Sequence, residues 1–441
     1  MLKLIDNRFR AALRSVPLWH RVGRLESVQG TITASLQGAV GELCEVRSSA
    51  GRTWLAEIIG FANQCVKIMP YGFNDQLQQG DEVMALGHAL RVPVGMGVLG
   101  RVMNALGTPI DNLGPLRGHR WVEMDNEPPD TLTRHDISQV FTTGQKSIDG
   151  LLTMGRGQRV GLFGGSGVGK STLLGQIASH ASADVNVVVL VGERSREVAP
   201  FVKYVLGPSG MAKSAVVVAT SNESPLARVR AADAALTMAD WFRRQGSNVL
   251  LILDSITRFA MAQRDLGLML GEPPTSRGYT PSVFHKMSVL LERMGTAERG
   301  SITGIITVLV EGDDMNDPIA DSVRAILDGH VVLSRKLANA GHFPAIDILQ
   351  SNSRLFLELA NGEHQRSALA IRQILARFDD VSDLLQIGAY QKGVSAATDL
   401  AIELQPQVNQ FLQQGLNDPQ PWATTLRALS SIAQRWTTMT A

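Results

Sequence analysis

The chain has 441 residues, of which 44% are hydrophobic, and a formal net charge of +1 at pH 7. This length predicts two or three domains with sizeable cores, and the nearly balanced charge argues against general attraction to nucleic acid or to an anionic membrane. The longest apolar runs have the length of a strand, which excludes a membrane-spanning helix. The amphipathic N-terminus lacks the apolar region and cleavage site of a secretory signal.

Cysteine and histidine usage narrows the class of protein further. The two cysteines, Cys44 and Cys65, favour a reducing compartment, and we interpret them as small buried hydrophobes. The nine histidines show no metal-ligand spacing, so a histidine-based metal site is not expected.

The first part of the chain has a β pattern. Short alternating segments separated by glycine turns occupy residues 20–90, and this spacing predicts a small β-barrel or sandwich. We place a β-barrel in an N-terminal domain of residues 1–90. The next segment, residues 91–129, is rich in glycine and proline and is predicted to be a linker.

An α/β pattern follows the linker. Strands alternate with helical segments from about residue 142 to residue 354, which is typical of a parallel sheet. We therefore predict a P-loop core over residues 91–360 and a helical domain over residues 361–441. The helices predicted in this last domain are Ser367–Phe378, Val381–Ala389, Ala396–Gln414 and Pro421–Thr437.

The segment Gly164–Ser171 fits the phosphate-binding pattern G-x-x-x-x-G-K-[ST]. An apolar run at residues 158–163 predicts a strand before it, and residues 171–178 predict the start of a helix. Glycines let the backbone wrap around an oxyanion, and the helix N-terminus directs free N–H groups at phosphate. An ordinary glycine-rich turn is the alternative. The predicted nucleotide-binding residues here are Gly164, Gly165, Ser166, Gly167, Val168, Gly169, Lys170, Ser171 and Thr172, with Lys170 on the β- and γ-phosphates and Ser171 on Mg²⁺.

Two carboxylates follow predicted parallel strands. Asp254 ends the apolar run 248–253, where α/β sheets bind ligands, and it can hold Mg²⁺. Glu193 is the first carboxylate after the run 186–191, and it can orient the attacking water. Arg194 could balance phosphate charge. A helix N-cap is the alternative for Asp254, and from spacing alone a solvated charged loop is as probable as a catalytic one for Glu193.

Further motifs extend over most of the chain. Together with the P-loop, they resemble the type III protein export ATPases of flagella and injectisomes, which are relatives of the rotary ATP synthase subunits. The order of barrel, RecA-like P-loop core and helical domain is similar too. The motifs are GELC at Gly41–Cys44, LGRVMNALGTPID at Leu99–Asp111, VGERSREV at Val191–Val198, LILDSITRFAMAQR at Leu251–Arg264, GEPPTSRGYTPSVF at Gly271–Phe284, VEGDDMNDPIADSVRAILDGHVVLSRKLA at Val310–Ala338, HFPAID at His342–Asp347 and QIGAYQKG at Gln386–Gly393.

The resemblance implies roles for individual residues. Glu193 would activate water, Arg194 would lie near the γ-phosphate, and Asp254 would be the metal-associated acid. Phe343 would pack against adenine, where the family usually has a tyrosine. Arg354 would reach into the site of a neighbouring subunit.

The resemblance also implies an assembly. Ser195 replaces the family's usual glycine, but neither this change nor Phe343 removes a catalytic group, so activity is expected. An arginine that reaches into the site of a neighbouring subunit implies a homohexameric ring with heterologous interfaces. Residues 264–278 would face its centre. The acidic run 378–383 resembles the loop that contacts the central stalk, although it could equally be a helix N-terminal turn.

The function implied by the resemblance is hydrolysis of Mg-ATP that powers chaperone release and unfolding of export cargo. The expected partners are other copies of the chain, stator and central-stalk proteins, chaperones and cargo, and no nucleic acid. The expected location is cytoplasmic, peripherally associated with the membrane export gate, with a slight preference for a flagellum.

Two alternatives have weaker support in the sequence. A catalytic subunit of a rotary ATP synthase is disfavoured by the VEGDDMNDPIAD motif and the short acidic run. A RecA-like nucleic-acid translocase would need a basic N-terminal barrel with aromatic stacking platforms. Residues 20–90 do contain Trp54, Phe61, Tyr71 and Phe73, but scattered acids dilute their positive charge.

Overall fold

The computed structural model describes residues 20–28, 31–72, 76–124, 127–310, 312, 314 and 317–440. The amphipathic N-terminus, Phe73 and four residues of the VEGDDMNDPIAD motif lie outside this part of the chain. Within it, no helix is both long enough and apolar enough to span a bilayer.

A closed six-stranded barrel forms the N-terminal part of the described chain and confirms the predicted β-barrel. Its strands alternate in burial, so that Val46, Ile58 and Ile68 fill the interior. The strands are β1 Val22–Ser27, β2 Ile32–Ala34, β3 Glu42–Arg47, β4 Thr53–Ala62, β5 Cys65–Pro70 and β6 Glu82–Ala89. In spatial order the barrel is β1-β2-β5-β4-β3-β6.

A nine-stranded sheet forms the core and confirms the predicted parallel α/β architecture. Its order is β19-β18-β12-β17-β15-β13-β14-β8, with β16 paired to β17; β16 and β19 are antiparallel to their neighbours. Its central strands are buried on both faces; Val185–Glu193 and Asn248–Asp254 are mainly apolar, whereas Ser301–Leu309 also contains buried serine and threonine. The remaining strands of the chain are β7 Arg91–Val94, β8 Val102–Asn104, β9 Arg120–Glu123, β10 Val140–Phe141, β11 Met154–Gly155, β12 Arg159–Gly164, β13 Val185–Glu193, β14 Ser214–Thr220, β15 Asn248–Asp254, β16 Gly295–Thr296, β17 Ser301–Leu309, β18 Gly329–Leu333 and β19 Ile346–Ser353.

Helices cover the sheet and form the C-terminal part. Several begin at side-chain caps: the Ser224 hydroxyl, for example, accepts a hydrogen bond from the N–H of Ala227 at 3.2 Å. The α-helices of the described residues are α1 Lys146–Leu151, α2 Lys170–His180, α3 Ser195–Pro200, α4 Gly207–Ala212, α5 Pro225–Arg244, α6 Ile256–Leu270, α7 Pro281–Glu292, α8 Pro318–Ile326, α9 Arg335–Asn339, α10 Phe356–Leu359, α11 Gly362–Gln386, α12 Ala396–Leu412 and α13 Trp422–Thr440. Short helical turns of other types lie at Met96–Val98, Thr131–Thr133, Phe201–Leu206 and Ser276–Gly278.

The prediction of a linker at residues 91–129 is wrong. Strand β7 pairs with β9, and β8 extends the edge of the main sheet. Glycine is used here for close packing: a Cβ atom on Gly97 would lie 1.7 Å from the carbonyl oxygen of Arg117. The glycines and prolines of this segment therefore shape a folded part of the core.

The acidic run 378–383 is neither a loop nor a helix N-terminal turn. It lies inside α11, which joins two of the helices predicted from the sequence into one of 25 residues. Asp379, Asp380 and Asp383 are exposed on it. Aspartates on a solvated face do not interrupt a helix whose opposite face is buried against α12 and α13.

The barrel and the core share one hydrophobic cluster. Leu43, Met69 and Tyr71 of the barrel part belong to the same buried apolar cluster as Val217 and Leu251 of the main sheet. A domain boundary at residue 90 therefore crosses a continuous core, and the predicted boundaries at residues 90 and 360 stay predictions.

A buried ion pair fastens the barrel to the core. Glu57 on β4 is only 1% exposed and accepts two hydrogen bonds from Arg230 on α5, of which the one from Nε measures 3.0 Å. The Tyr71 hydroxyl donates to the same carboxylate at 2.5 Å, and Arg230 also donates to Asp233 at 2.9 Å. Burial, followed by the Glu57 charge, raises the pKa of Tyr71 well above its usual value, so that this hydroxyl remains a donor.

Substitution of Arg230 by alanine should therefore lower the free energy of unfolding by about 3–5 kcal/mol, because it leaves the Glu57 carboxylate buried without a cation. The exposed pair Arg435–Glu403, with an N–O distance of 2.7 Å, provides the matched control. Arg435→Ala should cost less than about 1 kcal/mol. Chemical unfolding followed by circular dichroism measures both, and equal losses in the two variants would contradict the prediction.

Candidate functional site

The P-loop has the predicted strand–loop–helix geometry. Strand β12 ends at Gly164 and α2 begins at Lys170. Gly167 and Gly169 adopt left-handed backbone angles, with φ of 83° and 88°, which favour glycine. A Cβ on Gly164 would lie 3.0 Å from the Cβ of Leu333. Glycine at these positions therefore allows the loop conformation without backbone strain or crowding.

Lys170 is held against the base of this loop. It is 8% exposed, and its Nζ donates to the carbonyl oxygen of Gly164 at 3.3 Å. Burial lowers the pKa of Lys170, while the charges of Asp254 and Glu193 act to raise it. Ser171 and Thr172, the next two residues, are exposed at the start of α2. The ammonium group is thus positioned among groups that would surround a polyphosphate.

The two predicted carboxylates come together with Ser171. Strands β13 and β15 are neighbours and pair Leu190 with Asp254. Ser171, Glu193 and Asp254 all line one cavity of about 410 Å³. Asp254 is 5% exposed, and its Oδ1 accepts a hydrogen bond from the hydroxyl of Thr307 at 2.6 Å. A hydroxyl and a carboxylate facing one cavity are suitable oxygen ligands for Mg²⁺.

An ion pair that the sequence analysis missed fixes Glu193. Arg258, in the first turn of α6, forms a salt bridge with its carboxylate. A Cβ on Gly192 would lie 3.0 Å from Cδ of Arg258, so the glycine leaves room for the arginine side chain. Burial raises the pKa of Glu193, the hydrogen bond from Arg258 lowers it, and the nearby Asp254 raises it, with a net upward shift. The position of Arg258 four residues after Asp254 was the available signal, since β15 leads directly into α6.

Arg194 lies apart from these groups. Its side chain is 64% exposed and forms an ion pair with Glu197 at 3.4 Å. Arg196 and Glu197 line the cavity of Ser171, Glu193 and Asp254, but Arg194 is not among the described residues that line it. Its predicted contact with the γ-phosphate stays a prediction.

A second cavity of about 300 Å³ adjoins the P-loop on its other side. Phe343 lies in its wall, 45% exposed, and a Cβ on Gly169 would lie 3.4 Å from its ring. The loop after α12 supplies Gln414 and Leu416 to the same wall. The flat, half-exposed ring and the apolar surroundings suit a nucleobase.

Hydrogen bonds attach that loop to the core. The N–H of Gln414 donates to the carbonyl oxygen of Phe343 at 3.0 Å, and Nε2 of Gln176 on α2 donates to that of Leu416 at 2.9 Å. Nothing in the local sequence marks Gln414 or Leu416 as site residues, because they reach the P-loop only through the packing of the helical domain.

Arg354 lies at the opposite end of the sheet from its own P-loop. Strand β18 runs parallel to β12 with Gly161 paired to His330, and Gly329 pairs with Ser353 on β19. The P-loop starts four residues further along β12 than the position opposite Gly329, roughly 13 Å away along the strands.

Arg354 also has its own surroundings. Its Nη2 donates to the carbonyl oxygen of Arg324 at 3.3 Å, and it lines a surface cavity with Leu357 and Arg366. The structure thus separates Arg354 from the other predicted catalytic residues of its own chain.

Family models match three consecutive parts of the chain. The "ATP synthase alpha/beta family, beta-barrel domain" matches residues 26–87, and the "ATP synthase alpha/beta family, nucleotide-binding domain" matches residues 144–353. The "T3SS EscN ATPase C-terminal domain" matches residues 360–431.

Similar proteins come from both flagellar and secretion systems. The "Flagellum-specific ATP synthase" of Bacillus subtilis is 46% identical, with 94% of this chain and 95% of the relative covered. The "Type 3 secretion system ATPase" of Xanthomonas euvesicatoria is 42% identical, with 97% and 98% covered. The solved structure of the assembled ATPase EscN from enteropathogenic E. coli has a TM-score of 0.88 at 42% identity and covers 93% of this chain and 100% of EscN. The solved structure of EscN in complex with its central stalk EscO has a TM-score of 0.86 at 41% identity and covers 93% of this chain and 100% of the EscN chain.

Proposed function

Since the chain belongs to the flagellum-specific and type III secretion ATPases of the ATP synthase alpha/beta family, we propose that it hydrolyses Mg-ATP in the cavity of Ser171, Glu193 and Asp254. The enzyme is an ATPase of type III protein export. The observation that carries the site proposal is the convergence of a P-loop hydroxyl and two carboxylates at the carboxyl edge of one parallel sheet.

The P-loop binds the phosphates in this mechanism. Its N–H groups and those at the N-terminus of α2 donate hydrogen bonds to the anionic oxygens, and Lys170 neutralises charge on the β- and γ-phosphates. Ser171 and Asp254 are the residues that would hold Mg²⁺, which when bound neutralises charge developing on the phosphate oxygens. Phe343 packs against the base in the adjoining cavity, and the Gln414 loop covers it.

Glu193 orients and polarises the attacking water. Its salt bridge with Arg258 fixes the carboxylate, which reduces the reorganisation needed when the water attacks. The raised pKa of Glu193 makes it a better proton acceptor than an ordinary glutamate. Hydrolysis should accordingly fall on acidification at a higher pH than the usual pKa of a glutamate, because the carboxylate form is lost as the pH drops through the raised value.

Glu193→Gln should keep ATP binding and reduce turnover by about 10²–10⁴-fold, since glutamine preserves the shape but cannot act as a carboxylate. Steady-state phosphate release measures the turnover, and binding of a fluorescent ATP analogue measures the affinity. Glu403→Gln, on the exposed face of the helical domain, is the control and should behave like the wild type. Loss of nucleotide binding in Glu193→Gln would show that Glu193 is structural and would overturn this assignment.

We propose that the active form is a homohexamer. The position of Arg354 supports this, because an arginine at the far end of the sheet from its own P-loop can complete only the site of another copy. The relative EscN assembles and binds a central stalk, EscO, and we extend both properties to this chain. The segment 264–278 and the exposed aspartates of α11 are the proposed stalk contacts.

We also propose stator proteins, export chaperones, cargo and a peripheral site at the membrane export gate as partners of a cytoplasmic enzyme, with flagellar rather than injectisome export. The flagellum-specific relative from Bacillus subtilis supports the flagellar assignment. Expression in flagellated bacteria that lack their own export ATPase tests it. Restored swimming is the expected result, and rescue of effector secretion alone in an injectisome mutant would overturn it.

A further inference from the structure

Thr307 occupies the strand between the P-loop and the Asp254 strand. On one side of β17, Leu162 of β12 pairs with Thr307; on the other, Leu253 of β15 pairs with Ile306. Thr307 is therefore the β17 residue beside Asp254, and its side chain is completely buried. A valine would fill the same volume in this otherwise apolar stretch, so the hydroxyl calls for an explanation.

The hydroxyl bonds to the Asp254 carboxylate. Thr307 Oγ1 lies 2.6 Å from Asp254 Oδ1 and 3.2 Å from the carbonyl oxygen of Leu253. A hydroxyl has one proton to donate, and the shorter contact has the length of a charge-assisted O–H···O⁻ bond. Asp254 is 5% exposed, so this bond replaces water on Oδ1. Among the described residues, Oδ2 of Asp254 has no hydrogen-bond partner.

We propose that Thr307 is a positioning residue that sets the rotation of the Asp254 carboxylate so that Oδ2 faces the cation bound with ATP. The inference rests on the proposed Mg-ATP site and adds a residue to it. The hydrogen bond from Thr307 to Oδ1 restricts the carboxylate to one rotational state. Oδ2 then faces the cavity that Ser171 also lines. Partners of this kind typically change metal affinity by about 10–100-fold when removed.

The test compares Thr307→Val, which removes only the hydroxyl, with Thr307→Ser, which keeps it. A fluorescent ATP analogue is titrated in EDTA and at increasing Mg²⁺ concentrations. Thr307→Val should bind the analogue in EDTA like the wild type but require about 10-fold or more Mg²⁺ to reach the tighter affinity. Thr307→Ser should need little more Mg²⁺ than the wild type.

Thr303 provides a matched control on the same strand. It is equally buried, and its hydroxyl accepts a hydrogen bond from the N–H of Gly157 at 2.9 Å, but it lies four residues from Thr307 at the far end of β17. Thr303→Val should leave the Mg²⁺ requirement unchanged. Thermal unfolding of each variant shows any loss of stability separately.

Several results would overturn the inference. They are an unchanged Mg²⁺ requirement in Thr307→Val, an equal loss of affinity with and without Mg²⁺, or a Mg²⁺ defect in Thr307→Ser as large as that of the valine variant. If Thr307→Val does not fold, Thr307→Ala, which also removes the hydroxyl, replaces it in the same titration and is compared with Thr307→Ser. If the nucleotide affinity of the wild-type protein does not depend on the Mg²⁺ concentration, that result would instead contradict the proposed function.

Discussion

Arg354→Ala should still bind ATP and still assemble, yet hydrolyse ATP about 10³–10⁵-fold more slowly, as for arginine fingers of other nucleotide hydrolases. The physical reason is that, in the proposed mechanism, each site contains Lys170, Glu193 and Asp254 of its own chain and takes the permanent charge of an arginine from the next copy. Phosphate release and analytical ultracentrifugation measure the two properties. Wild-type specific activity should also rise steeply with protein concentration as rings form.

Mixing Arg354→Ala with Glu193→Gln tests whether the arginine acts on a neighbour. Each variant alone should be nearly inactive. In a mixed ring some sites combine an intact Glu193 from one copy with an intact Arg354 from the next, so part of the activity should return. Absence of recovery in rings shown to contain both variants would mean that Arg354 acts within its own chain or has no catalytic role.

Lys170→Ala should abolish ATP hydrolysis and strongly weaken nucleotide binding. Lys170 is buried at the P-loop, and in the proposed mechanism its ammonium group is the main counter-charge to the β- and γ-phosphates. Phosphate release and binding of a fluorescent ATP analogue measure the two losses.

Lys146→Ala is the control for Lys170→Ala. Lys146 is also partly buried, in α1, but its Nζ donates to the carbonyl oxygen of Gln410 at 3.3 Å in the helical domain. It should retain hydrolysis. Turnover near the wild-type rate in Lys170→Ala would contradict the assignment of the P-loop.

The parts of the site that could be predicted lie next to regular apolar strands. The strands predicted at residues 158–163, 186–191 and 248–253 are observed at Arg159–Gly164, Val185–Glu193 and Asn248–Asp254. A continuous apolar run predicts a strand buried on both faces, and the first charged residue after the runs 186–191 and 248–253 then falls at the carboxyl edge of the sheet. This places Glu193 and Asp254 at one edge of the sheet, whereas Lys170 is predicted by the P-loop pattern.

Contacts between distant segments could not be predicted in this way. Gln414 is brought to the cavity beside Phe343 by the packing of the helical domain. Thr307 donates a hydrogen bond to Asp254 because of the order of strands in the sheet. Two predictions were wrong: glycine and proline at residues 91–129 belong to a closely packed segment rather than a linker, and the acidic run 378–383 lies inside α11 rather than in a loop or a helix N-terminal turn. Each of these depends on which elements become neighbours, and local pattern carries no information on that.

Strand β19 connects two nucleotide sites when rings form as proposed. Phe343 precedes its first residue by three positions, and Arg354 directly follows its last. Eight strand residues span roughly 26 Å, and pairing with β18 makes the strand stiff along its length. If Phe343 contacts the base and Arg354 acts on the next copy as proposed, a displacement of Phe343 by an arriving or departing base would be transmitted along the strand to the arginine in the next site. Because heterologous interfaces in a ring all have the same polarity, this coupling would run in one direction around the ring.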